Sequence, residues 1–402
     1  VVSIDPRKDS GTGLISKDLV LEICNNFVIF DSQLDTFRFA HLSVREFLEK
    51  RPEYNRLAAN RLIAETCLWS VMSTDEDLAT EELFRQLELC AKPAPDRSEL
   101  LCAYADIYWP VHCKLAEKER HSGALKKLLQ HILCNDNATS SLVRWTLRLE
   151  THFRTNMDWE IEKRLRNTMP SAKMTSSRGL FVCCVFDFEE QIEDILEGET
   201  PATLYMNRRG LSHLYIAAEN GSCATLARLI TKHWPNIDLP VEVVVAAAGN
   251  SYNGMEVMTL LFDQRGADVA ITEEVVVEAA ENEGNGNGVM ALLLDRRGAD
   301  VVITEKVVAA AASNEGNNKG VMALLLDQRG AEVVITEEVV KAAASNEGNG
   351  KEVMALLLDR RGAEVVVTEE VVKAAAGNYS NGQEVMTLLL DRRGAEVVVT
   401  EE

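Results

Sequence analysis

Apolar and polar positions along the C-terminal part of the chain repeat so regularly that one unit describes them all. In the unit opening at Thr336-Glu337-Glu338, a hydroxyl residue precedes two carboxylates, the order that caps a helix start and suits its dipole. The spacing predicts a helix from there through Val339, Val340, Lys341 and Ala342 to Ala344. Ser345-Asn346-Glu347-Gly348-Asn349-Gly350 is a turn-forming cluster where the chain should reverse. Val353, Met354, Leu356, Leu357 and Leu358 then recur at helical spacing as one buried stripe, and Gly362 stands where a left-handed cap is expected. Each unit is predicted to be a helical hairpin.

The units are tandem near-copies. Asp263, Asp295, Asp327, Asp359 and Asp391 stand 32 residues apart, as do Thr272, Thr304, Thr336, Thr368 and Thr400. A period in this range marks a solenoid, in which no unit covers its own apolar face and each stacks on its neighbours. The Ala run of the first helix permits close approach, and burying each Leu of the second contributes roughly 1.5–3 kcal/mol. Further upstream, Asn26–Asp31 and Thr36–Ala40 read as two strands around a turn, followed by a helix with Ser43 and Glu46 as a capping box. Leu57–Val71 and the set Leu125, Leu128, Leu129 and Ile132 have helical spacing.

Charge separates the two parts. Residues 1–240 carry 29 basic and 35 acidic residues and all five Trp; residues 241–402 carry 13 and 28, with no Trp, Cys or His. The overall formal charge of −21 repels phosphate backbones and anionic membranes, so neither nucleic acid nor a membrane is expected as partner. No apolar run approaches the ~18–20 residues of a membrane span. Nine Cys without a CxxC pair or zinc spacing point to reduced thiols and a cytoplasmic location, with Cys183 and Cys184 as small core residues. Val1 at the start and Thr400-Glu401-Glu402 at the end, which opens another unit, read as cuts in a longer protein.

Gln383–Val397 (QEVMTLLLDRRGAEV) resembles the second half of an ankyrin repeat. The first half departs from it, with Thr-Glu-Glu-Val in place of Thr-Pro-Leu-His and too few residues after Gly362 for the usual β-hairpin finger. Arg209–Gly221 resembles a more ordinary ankyrin unit, and a weaker one runs from Arg178 to Leu196. Phe37-Arg38-Phe39-Ala40-His41-Leu42-Ser43-Val44-Arg45-Glu46-Phe47-Leu48 is similar to the winged-helix region closing the nucleotide-binding module of NACHT-type STAND ATPases, the NOD-like receptors. Tyr104–His112 resembles the helical segment that follows it in fungal members. The implied fold is mainly α: a winged-helix-like region (1–75), a helical connector (76–173), degenerate ankyrin repeats (174–240) and an ankyrin-like α-solenoid of five 32-residue hairpins (241–402).

The resemblance also implies a function. The chain would be the sensor and regulatory portion of an intracellular receptor, its array binding a protein ligand and gating a nucleotide switch encoded upstream, in a role of non-self sensing and regulated cell death. It would oligomerise through an upstream module, with ADP or ATP and magnesium bound only in the longer protein. His41 matches the family histidine that contacts the ADP phosphate; a structural histidine where strand meets helix is the alternative. No GxxxxGK[ST], GxSxG or HExxH occurs in these residues, so no enzyme activity, cofactor or metal is expected of them. The alternative function is a constitutive ankyrin-type scaffold.

The repeats differ from one another at a few offsets. Val277, Ala309, Lys341 and Lys373 vary, as do Glu281, Ser313, Ser345 and Gly377 four residues on, and the loops vary at Glu347 and Lys351 against Tyr379 and Gln383. Residues four apart share a helix face, so these positions are expected to form one partner-binding surface along the solenoid. Unrestrained drift at exposed sites is the competing explanation.

Overall fold

The computed structural model describes residues 21–22, 24, 27–33, 36–73, 78–87, 99–135, 140–153, 158–169, 178–196, 206–316 and 318–397. The chain is mainly helical and divides into two compact units, residues 1–213 and 214–402.

In the first unit, β1 (Val28–Asp31) pairs antiparallel with β2 (Thr36–Phe39), with Phe30 opposite Phe37. The helix Leu42–Glu49 follows. The helix Arg56–Met72 packs along Glu99–Leu115, and Leu125, Leu128, Leu129 and Ile132 are buried as their spacing predicts. Trp109 and Trp145 meet edge to face at 5.2 Å in the middle of this core. Two buried charges are fully engaged around it. Asp106 accepts from Arg148 at 3.0 Å, and Arg120 donates to Glu190 at 2.6 Å and to the Asp187 carbonyl at 2.9 Å. His213 stacks on Phe181 with centroids 3.9 Å apart, and complete burial lowers its pKa to about 3.

In the second unit each repeat contributes two helices. Glu305–Ser313, Glu337–Ser345 and Glu369–Gly377 are first helices; Gly350–Arg361 and Gly382–Arg393 are second helices. The Thr cap forms as expected, the Thr336 hydroxyl accepting from the Val339 N–H. First helices stack on first helices through fully buried Ala pairs such as Ala343-Ala344, and second helices stack on second helices. Val353, Met354 and Leu357 fill the space between layers, whereas Leu356 is half-buried, so the stripe is narrower than the sequence predicts.

Two ladders that the hydrophobic pattern does not announce join the repeats. Asn250, Asn282, Asn314, Asn346 and Asn378 are all buried and 32 residues apart. The Asn346 amide donates to the carbonyls of Ala312 (2.9 Å) and Asn314 (2.8 Å) in the preceding repeat. Its side-chain oxygen accepts from the N–H groups of Gly348 and Asn349, shaping the loop of its own repeat. One side chain thus satisfies four backbone groups where burial would otherwise penalise them. The stacked loops come so close that a Cβ at Gly348 would lie 2.3 Å from the Glu315 carbonyl oxygen. At the opposite end of the hairpin, Arg361 donates to the carbonyls of Gly330 (2.8 Å) and Val333 (3.0 Å), while Glu364 holds its guanidinium in place at 2.6 Å. Arg297 and Arg329 repeat the arrangement, and Arg393 keeps the bond to the Gly362 carbonyl and the pair with Glu396.

Local geometry corrects two expectations. Gly362 is right-handed (φ −54°), not a left-handed cap; a Cβ there would approach the Leu358 carbonyl oxygen to 2.5 Å. The helix after β2 is capped by His41, not by Ser43: its Nδ1 accepts from the Ser43 N–H at 3.2 Å, and the helix already begins at Leu42. The connection Val365–Thr368 is extended, with Val365 and Val367 buried and Val366 exposed, and it joins no sheet.

Replacing Asn346 with Ala leaves two carbonyls and two N–H groups without partners, and should lower unfolding free energy by about 2–3 kcal/mol. Ser345→Ala next to it should stay within about 0.5 kcal/mol. Urea denaturation followed by circular dichroism separates the two; equal midpoints would contradict the ladder's role. For His213 the folded pKa lies below the ordinary 6.5, so its stabilising contribution is complete above pH 6.5 and declines as pH falls toward 3. Between pH 6.5 and 5 the loss should be about 2 kcal/mol. His213→Phe should flatten that slope, and an unchanged slope would show that His213 takes up its proton in the fold.

Candidate groove on the repeat array

The first helices expose one face each, and their small residues leave a shallow depression of about 430 Å³ running across successive repeats. Val277, Glu281, Ala309, Ser313, Lys341 and Ser345 line it, each expected from sequence as a partner-binding position. They meet because the Asn ladder holds the first helices in fixed register, so equal offsets in successive repeats become neighbours. Lys306, Ala310, Glu338 and Ala342 complete the lining. Sequence comparison passed these over, although Lys306 and Glu338 lie three residues before Ala309 and Lys341 on the same helix face.

The remaining expected positions lie apart from this depression. Glu347 and Lys351 are exposed in the loop and at the start of the second helix, and Lys373, Gly377, Tyr379 and Gln383 are exposed in the following repeat. None of them lines the groove: Glu347, Lys351, Tyr379 and Gln383 belong to the loops and second helices, and Lys373 and Gly377 to the first helix of the repeat beyond the depression. The single continuous surface expected from sequence is therefore narrower, a strip along the first helices.

Electrostatics are uneven along the strip. Lys341 sits 3.5 Å from Glu338, Lys373 sits 3.0 Å from Glu369, and Lys306 reaches back to Glu273 of the preceding repeat at 3.2 Å. Among the described residues, Glu278 and Glu281, one turn apart, form no such ion pair. Partial burial, then repulsion from Glu281, raise the pKa of Glu278 above the ordinary carboxylate value.

His41 occupies a different place. It is exposed, and because Nδ1 accepts from the Ser43 N–H, the ring proton of the neutral imidazole belongs on Nε2. Nε2–H is thus available as an outward donor. No GxxxxGK[ST] sequence occurs in these 402 residues.

Two other clusters have structural explanations. His121, Glu189 and Glu190 bring three ligand-type atoms within 4.8 Å, but Arg120 already supplies positive charge to both carboxylates, at 3.1 and 2.6 Å. Cys183 and Cys184 are fully buried, and burial raises their pKa well above the usual thiol value; Cys67 is pushed up to about 12 by the same cause. These three thiols should react with a disulfide reagent at pH 8 only after denaturant is added. Rapid native labelling of Cys183 or Cys184, read by mass spectrometry of the digested protein, would contradict their assignment to the core.

Among the described residues no helix is long and apolar enough to cross a membrane. No curated protein and no solved structure matches the chain. A family model described as a domain of unknown function (DUF7104) matches residues 241–258, 260–290, 292–322, 324–354, 356–386 and 388–402, with starts from 260 onward falling 32 residues apart, so this part of the chain is a tandem repeat region of that kind.

Proposed function

We propose that the repeat array is a docking surface for a protein ligand. The observation that supports this reading is the division of labour within each repeat. Offsets that stay constant, such as the Asn and Arg ladders and the Val-Met-Leu core, stack the repeats, whereas six of the positions that vary, Val277, Glu281, Ala309, Ser313, Lys341 and Ser345, come together to line the groove.

Within a longer protein the array would serve as the ankyrin-like sensor of a NACHT-type receptor, gating a nucleotide switch through the hairpin and helix around His41. The outward Nε2–H of His41 favours this reading, since an imidazole donor suits a phosphate oxygen. A constitutive scaffold would need no such donor. The switch would work by population shift, with ligand on the array favouring an open state over a closed, ADP-bound one.

The docking strip is tested by Lys341→Glu in the groove with Lys373→Glu in the next repeat, which reverses charge on the first-helix face without touching either ladder. Affinity for a protein captured by the wild-type chain should fall at least tenfold, measured by biolayer interferometry. Unchanged affinity would move the docking surface elsewhere.

A further inference from the structure

The groove carries a polarity that narrows the kind of ligand it fits, an inference that rests on the docking reading above. At one end, Glu278 and Glu281 lack a cationic partner among the described residues, and Glu281 faces the groove. At the other, Lys341 projects beside the groove with only a loose ion pair to Glu338 at 3.5 Å, the weak kind that an incoming carboxylate can replace. The floor between is Ala309, Ala310 and Ser313, too small to fill the space above it. Lys306 is drawn back toward Glu273 of the preceding repeat at 3.2 Å and forms a wall.

Length sets the second constraint. Glu281 and Lys341 belong to first helices two repeats apart, and packed helices lie about 8–10 Å from axis to axis, giving a span of about 16–20 Å. An extended peptide advances about 3.3 Å per residue, so about five or six residues bridge it.

We infer that the groove binds an extended segment of a partner protein, with a Lys or Arg against Glu281, small residues over Ala309, Ala310 and Ser313, and an Asp or Glu about five or six positions away against Lys341. The complementarity is electrostatic at both ends and steric between them. A partner with the opposite polarity would place like charges against each other at both ends.

The probe is a phage-displayed library of random 12-residue peptides, selected on the immobilised 402-residue chain at moderate salt. Enriched sequences should carry a basic and an acidic residue four to seven positions apart, with Gly, Ala or Ser between, in one order only. A synthetic consensus peptide, followed by fluorescence polarisation, should bind at least tenfold more weakly to Glu278→Gln/Glu281→Gln and to Lys341→Glu. Pairing Glu281→Lys with a peptide whose basic residue is changed to Glu should recover most of that loss, which a merely structural effect would not. Circular dichroism checks that each variant keeps its helix content. Binding abolished by Ala309→Arg but indifferent to the charge variants would overturn the polarity and keep the groove. Binding that survives Ala309→Arg, or no enrichment over bare matrix, would overturn the docking reading with it.

Discussion

A buried carboxamide must find partners for two donors and an oxygen, and in this array it finds them in two repeats at once. Asn346 donates across the junction to Ala312 and Asn314 and accepts within its own loop from Gly348 and Asn349. The requirement fixes the height of one hairpin relative to the next, because a small slip would leave several buried polar groups without partners. Everything on the first-helix face depends on that register. The Arg ladder at the far end of the hairpin holds it from the other side, the Arg361 guanidinium reaching two carbonyls of the preceding repeat and steadied by the carboxylate three residues on. Apolar burial supplies most of the stabilisation, but it is non-directional and would tolerate sliding. Polar staples supply the uniqueness.

This division explains why the repeats can be so alike and still present a varied surface. Residues that satisfy the backbone of a neighbour are constrained in identity. Those on the open face of the first helix need only avoid blocking it, which leaves Val277, Ala309 and Lys341 at equivalent offsets with different chemistry. Charge differences along the strip then follow from single substitutions, and none of them disturbs the stacking.

How far the sequence leads depends on the range of the interaction. The hairpin, its Thr cap and its loop follow from spacing within one unit, whereas comparison between units gives twelve surface positions of which six line the depression. Asn346 was legible only as a turn residue, since its amide partners lie in another repeat and nothing in its own loop distinguishes a turn former from a staple. Its strict recurrence at the 32-residue period was the available signal, for a surface turn would accept Asp, Ser or Gly there as well. His41 took the cap expected of Ser43 because an extended residue just before the helix places Nδ1 on the Ser43 N–H, a geometry that a pattern of hydroxyl and carboxylate does not encode. Gly362 failed as a left-handed cap because the chain leaves the helix by a tight right-handed turn that excludes a Cβ for a different reason. The ion-pair networks of Arg120 and Asp106 join residues far apart in sequence and could not be read in advance.

The central claim is that constant positions stack the repeats while variable positions form the binding surface. Exchanging the groove residues of two repeats tests it most directly: Val277→Lys, Glu278→Ala and Glu281→Ser together with Lys341→Val, Ala342→Glu and Ser345→Glu, with both ladders intact. Thermal unfolding and ligand binding are then measured on the same chain. The account predicts a melting temperature within about 2 °C of the parent, since surface changes are small, with binding of the parent's ligand lost. A large fall in melting temperature, or ligand binding that survives the exchange, would contradict it.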